Sequence, residues 1–209
     1  MIYTPQIANK VAEYLLDIKA IRLNPANLFT WASGIQSPIY CDNRISLAYP
    51  EVRSFLKDSF SVLVKDKFKD IDVIAGVATA GIAHGALLAD NLEKPFCYVR
   101  SSPKSHGTKS LIEGKISKGD RVVVVEDLFS TGGSTVKAIH ALKEEGAEVV
   151  GAVAIFNYGF KKVDKAFAEV GVPFYTLSNF EHLLSVLRKN EQFAEDELAF
   201  MQQWYKGMS

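Results

Sequence analysis

Arg121-Val-Val-Val-Val-Glu-Asp-Leu-Phe-Ser-Thr-Gly-Gly-Ser-Thr135 is the stretch around which the chain is organised. A run of valines with no polar alternation reads as a strand covered on both faces, the usual fate of a central strand in a parallel sheet. Glu126 and Asp127 fall where that strand leaves the sheet, and Ser130 to Thr135 follow with hydroxyls and two glycines before a helical pattern begins at Val136. A helix start offers unpaired N–H groups and the positive end of a dipole, and ligands in open α/β sheets bind beyond the carboxyl ends of strands. The stretch is therefore laid out as an anion site.

Outward from it, strand and helix patterns alternate. Residues 73–76, 96–100, 149–156 and 174–177 read as strands, with helices over about 82–91, 133–145 and 163–170. Such alternation predicts an α/β domain with a central parallel sheet flanked by helices. Ahead of the sheet, residues 5 to about 21 and 49–68 have helical spacing. Two short extended pieces around Ser33-Gly34 form a hood over about 1–48. Phe193, Leu198, Met201, Trp204 and Tyr205 predict a closing helix. Residues 101–119, rich in Ser, Gly and Lys, are too long for an ordinary connection and read as a functional loop beside the phosphate site.

The 209 residues fit one domain, 1–209, with hood and loop as its parts. Lys plus Arg and Asp plus Glu both number 24, so net charge gives no argument for a nucleic-acid or membrane partner. Cys41 and Cys97 are far apart and lack CxxC spacing, which points to free thiols rather than a disulfide or a zinc site. No apolar run reaches the roughly 20 residues of a membrane span, and no leader pattern opens the chain, so a cytoplasmic location is expected.

Paired carboxylates at Glu126 and Asp127 suit the vicinal hydroxyls of a phosphorylated sugar, or indirect chelation of hydrated Mg²⁺. The segment Ser130–Ser134 lacks the lysine and spacing of a P-loop and the GxGxxG of a dinucleotide fold. His84, His140 and His182 lie on or near predicted helices and read as structural. Trp31 reads equally as packing for the hood or as a stacking surface for a ligand.

Glu-Asp-Leu-Phe-Ser-Thr-Gly-Gly-Ser after the valines resembles the phosphoribosyl diphosphate signature of type I phosphoribosyltransferases. Two further segments, residues 29–44 with Ser-Gly-Ile-Gln-Ser-Pro-Ile-Tyr and residues 98–107 with Arg, Lys and His, resemble the orotate-using members of that family. The resemblance implies that Ser130, Thr131, Gly132, Gly133 and Ser134, with Leu128 and Phe129, hold the 5-phosphate, and that Glu126 and Asp127 face the ribose. It implies that Arg100, Lys104 and His106 meet the diphosphate, with Lys104, His106 and Asp127 in catalytic roles. Ser37, Tyr40 and Ser130 would contact orotate. The implied activity joins orotate to the ribose 5-phosphate of phosphoribosyl diphosphate, giving orotidine 5′-phosphate and diphosphate on the route to UMP. Mg²⁺ would be held mainly by diphosphate and water. A homodimer is implied, because in this family the loop around Arg100 to His106 completes the partner's site.

The chain departs from the family pattern at several points. Ala32 and Ile35 stand where many members carry basic residues, Thr79 and Ala80 replace a Tyr-Lys pair, and Asn157-Tyr158 replaces an Asp-Arg pair. The orotate carboxylate must then be held by backbone N–H groups of the hood or by residues the sequence does not place, Arg44 being one candidate. A purine or xanthine phosphoribosyltransferase remains an alternative, as does a non-catalytic phosphoribosyl diphosphate sensor.

Overall fold

The computed structural model describes residues 1–31, 34–102, 110–191 and 193–208. Helix α1 (Pro5–Asp17) starts with Pro5 in its first turn, and the Thr4 hydroxyl accepts the Ile7 N–H at 3.3 Å. It ends short of residue 21, because Lys19 turns the chain with φ +58° into strand β1 (Ile21–Leu23). Strands β2 (Phe29–Thr30) and β3 (Gln36–Ser37) form the expected hairpin, closed by Gly34 at φ +83°, a conformation that favours glycine. Strand β4 (Ile39–Cys41) then returns antiparallel to β1, so the hood is two small ladders rather than one. A 3₁₀ turn (Asn43–Ala48) and helix α2 (Pro50–Lys67) follow.

The sheet proper comprises β5 (Val73–Val77), β6 (Phe96–Val99), β7 (Ile112–Glu113), β8 (Arg121–Phe129), β9 (Glu148–Asn157) and β10 (Phe174–Asn179). Their spatial order is β10-β9-β8-β5-β6-β7, and all pairs are parallel except β6 with β7. Helices α3 (Ala80–Leu92), α4 (Gly133–Glu144), α5 (Lys161–Val170), α6 (Phe180–Lys189) and α7 (Glu195–Met208) complete the fold.

Strand β8 shows why its valines need no polar alternation. Val123 and Val125 face a core shared with Val11, Leu56, Leu88 and Phe180, while Val122 and Val124 face a second core with Ile139, Leu142 and Phe167. Each of the four is fully buried. Order reverses between β8 and β5: the chain after β5 packs α3 on the first face, and the chain after β8 packs α4 on the second. That is a topological switch point, where crevices open at the carboxyl ends of strands.

Two elements differ from the sequence-based expectation. Residues 110–116 of the long segment 101–119 carry regular structure: β7 pairs with β6, the Arg100 N–H bonds the Leu111 carbonyl at 2.8 Å, and Leu111, Ile112 and Ile116 pack on the second core. The few apolar residues of that segment are the ones that hold it. Helix α6 was not anticipated, although Asn179 caps it by accepting the His182 N–H at 3.0 Å and Leu183, Leu184 and Leu187 bury one face.

Candidate active site

The two acids sit at the end of β8, with Glu126 only 5 % exposed. The Ser134 hydroxyl donates to Glu126 Oε2 at 3.2 Å, and the Asp127 N–H donates to Glu126 Oε1 at 3.1 Å. Burial and the neighbouring Asp127 charge push the Glu126 carboxyl up to about 8, and burial likewise raises Asp127. Both carboxyls therefore give up their protons less readily than free ones.

The strand end is clamped from the hood side. Asn43, fully buried, donates from Nδ2 to the Asp127 carbonyl at 2.7 Å. From the other side α3 presses on β8. A Cβ on Gly81 would collide with the Val125 carbonyl oxygen, and one on Gly76 would lie 2.8 Å from the Gly81 carbonyl oxygen. These glycines let the helix approach closely enough to border the crevice.

After Phe129 the chain turns through Ser130 and Thr131 into Gly132, whose φ of +79° serves as the start of α4. No side chain caps this helix. Its first N–H groups therefore face outward as an anion cradle.

Beside the cradle lies a cavity of about 870 Å³, lined by Thr30, Trp31, Ile35, Tyr40 and Cys41 from the hood, Leu128, Ser130 and Thr131 from β8 and its loop, Tyr158, Phe160 and Lys162 beyond β9, and Gly207 and Met208 from the last helix. Its wall is aromatic. The Trp31 ring lies 4.7 Å from that of Tyr158, which stacks on Phe160 at 5.5 Å and 14°. Trp31 Nε1–H donates to the Ile39 carbonyl at 3.0 Å, so this ring both packs the hood and borders the cavity. Burial holds the Tyr158 phenol well above its ordinary range, so it stays a neutral group. Tyr40 carries the Arg22 guanidinium 4.9 Å above its ring.

The expected residues divide as follows. Glu126, Asp127, Ser130, Gly132, Gly133 and Ser134 meet at the strand end and cradle, and Tyr40, Leu128, Ser130 and Thr131 meet at the cavity. Phe129 points the other way into the second core and is fully buried, so its place is structural. The Ser37 side chain is likewise turned inward. Its hydroxyl donates to the Ile39 carbonyl at 2.9 Å and accepts the Ile39 N–H at 3.2 Å, and the residue is fully buried inside the hood. Arg100 lines a separate hollow of about 390 Å³ with Ser134, Lys137 and His140, and pairs with Glu113 at 3.2 Å. Lys104 and His106 lie outside the described residues. Arg44 is held by Asp42 through bonds of 2.7 and 2.8 Å and does not line the cavity. His84 is buried and pushed down to about 4 by that burial, and His182 Nδ1 contacts Asn9 Oδ1 at 2.9 Å; both are structural.

Sequence reasoning missed Cys41, Phe160, Lys162 and the contribution of the last helix. The one available signal was position: Tyr158-Gly-Phe-Lys-Lys162 leaves the strand next to β8, at the same sheet end as the acids.

The family described as phosphoribosyl transferase domain matches residues 51–181. An orotate phosphoribosyltransferase of Staphylococcus haemolyticus is 51% identical over 198 residues, covering 95% of this chain and 98% of that one. Its counterpart in Staphylococcus saprophyticus is 47% identical over 203 residues, covering 97% and 100%. Among solved structures, the orotate phosphoribosyltransferase of Aeropyrum pernix superposes with a TM-score of 0.76 at 31% identity, covering 88% of this chain and 99% of that one. With the strand-end acids, the uncapped helix and the aromatic cavity in this arrangement, the chain belongs to the phosphoribosyltransferase family and, within it, to the orotate phosphoribosyltransferases of pyrimidine biosynthesis.

Proposed function

We propose that phosphoribosyl diphosphate lies across the carboxyl end of β8, with its 5-phosphate on the backbone of residues 130–134, its ribose hydroxyls on Glu126 and Asp127, and orotate in the aromatic cavity beneath the hood. One observation carries this: a single loop serves both sites, because Ser130 and Thr131 line the cavity and the residues after them open the uncapped α4. A ribose bound between acids and loop thus has its anomeric carbon turned toward the base.

The reaction breaks the bond from that carbon to diphosphate and forms one to an orotate ring nitrogen, which gives up its proton. Positive charge builds on the sugar and negative charge on the leaving group. We assign Glu126 and Asp127 to steadying the former. Arg100, Lys104 and His106 are the residues we assign to the latter, with closure of their loop excluding water. Among the described residues no group of three or more His, Cys, Asp or Glu side chains could hold a metal. A Mg²⁺ that keeps most of its waters and rides on the diphosphate fits that donor set, and it would neutralise leaving-group charge.

We further propose a homodimer in which the loop around Arg100 completes the partner's site, as the resemblance to the family implies; Arg100 itself lines a hollow apart from the base cavity. Use of a soluble sugar phosphate fits a cytoplasmic location.

With orotate and Mg-phosphoribosyl diphosphate, the purified protein is expected to deplete orotate absorbance. Turnover of a purine base with none of orotate would sink the assignment. Mixing Asp127→Asn subunits with Lys104→Ala subunits, each inactive alone, should recover about a quarter of wild-type activity, the share of intact sites in random dimers. Absence of any recovery would refute the shared site.

A further inference from the structure

The orotate carboxylate needs a cation or several donors, and the positions where many family members carry a cation are Ala32, Ile35 and Tyr158 in this chain. A carboxylate taken from water into a cavity walled by Trp31, Tyr40, Tyr158 and Phe160 is costly unless a charge or several donors meet it. Among the described residues that line the cavity, Lys162 alone is charged, and no carboxylate lines it to compete. Arg44 is engaged by Asp42 in two bonds, and Arg22 lies over the Tyr40 ring without reaching the cavity lining. The Tyr158 phenol can donate a hydrogen bond but brings no charge.

Lys162 is also placed for the task by its helix. It is the second residue of α5, whose N-cap, Phe160, offers no side-chain hydrogen bond. The positive end of the helix, whose N-cap Phe160 lines the same cavity, adds to the ammonium charge there, although the Val163 N–H is already taken by the Phe160 carbonyl at 2.9 Å. Its neighbour Lys161 turns to a different hollow, with Glu181, Arg188 and Lys206. One lysine serves the cavity and the other does not.

We infer that Lys162 binds the carboxylate of the acceptor base and so sets the enzyme's preference for an acidic pyrimidine over a neutral one. This rests on the orotate reading above. It assigns to α5 a contact that the sequence leaves without an owner, from an element outside both the hood and the phosphate cradle.

The test is steady-state kinetics of the full-length enzyme with orotate, uracil and phosphoribosyl diphosphate, for the wild type, Lys162→Met, Lys162→Arg and Lys161→Met. Removing one partner of a close charge pair should raise the orotate KM of Lys162→Met at least about tenfold. The KM for phosphoribosyl diphosphate should stay unchanged and kcat should move less than KM. The ratio of kcat/KM for orotate over uracil should fall in Lys162→Met and recover in part in Lys162→Arg. Lys161→Met, with the same charge change, should match wild type and controls for net charge. An active wild type whose orotate KM and base preference are unaltered by Lys162→Met overturns the inference alone. A wild type that does not use orotate overturns the functional reading as well. Loss of affinity for both substrates together, in a Lys162→Met protein with native circular dichroism, also counts against it, because that marks a structural role.

Discussion

Glu126 illustrates how a functional carboxyl is set by its neighbours. It lies in a strand whose other inward residues are valines, so burial opposes its ionised form and Asp127 opposes it again. A carboxyl whose pKa is raised from 4.5 to about 8 holds its proton more tightly in the folded than in the unfolded chain. Its contribution to stability is therefore complete below about pH 4.5 and is lost as pH rises through about 8. The ligand-free protein should accordingly melt at progressively lower temperature between those limits. Glu126→Gln, neutral and of similar shape, should flatten that part of the profile; parallel profiles for the two proteins would contradict the assignment. At this scale the acids, Ser130 and the glycines were legible because they are contiguous in sequence. Lys162 and Cys41 were not, because the cavity gathers them from two segments far apart in the chain.

At the scale of elements, periodicity carried most of the fold. Alternating strand and helix patterns located every parallel strand of the sheet, and the uninterrupted valines placed β8 at its centre, covered on both faces. Short elements escaped for a physical reason: β1, β4 and β7 span two or three residues, too few to show a period, and exist only through their partners. Ile112 and Glu113 form a strand because Val99 and Tyr98 stand opposite them. The glycines of α3 belong here too. The sequence places that helix only from about residue 82, whereas in the structure Gly81 lies in its first turn and allows it to touch the backbone of β8 one residue before the acids. A side chain there would displace either the helix or the strand end that carries Glu126.

For the molecule as a whole, the last helix ties the first segment of the chain to the sheet. Trp204 Nε1–H donates to the Gln36 carbonyl of the hood at 2.9 Å, and its ring packs edge-on against Trp31 at 6.0 Å and against Phe180 at 5.9 Å. A closing helix was predicted, but not that Gly207 and Met208 would border the base cavity, since contacts between chain ends leave no local pattern. The hood is two small ladders that bury little by themselves, so its position over the cavity depends on this brace. Trp204→Ala removes a half-buried aromatic and a hydrogen bond; about 2 kcal/mol of stability should be lost, lowering Tm by about 6 °C for a chain of this size. The orotate KM should rise severalfold while that for phosphoribosyl diphosphate holds, because α7 borders the base cavity, whereas Gly133 and Ser134 at the start of α4 do not line it. Trp204→Phe keeps a ring but not the donor, so it should retain most of the stability and lose part of the orotate affinity. If both substrates weaken equally in Trp204→Ala, the helix supports the fold generally rather than the base cavity.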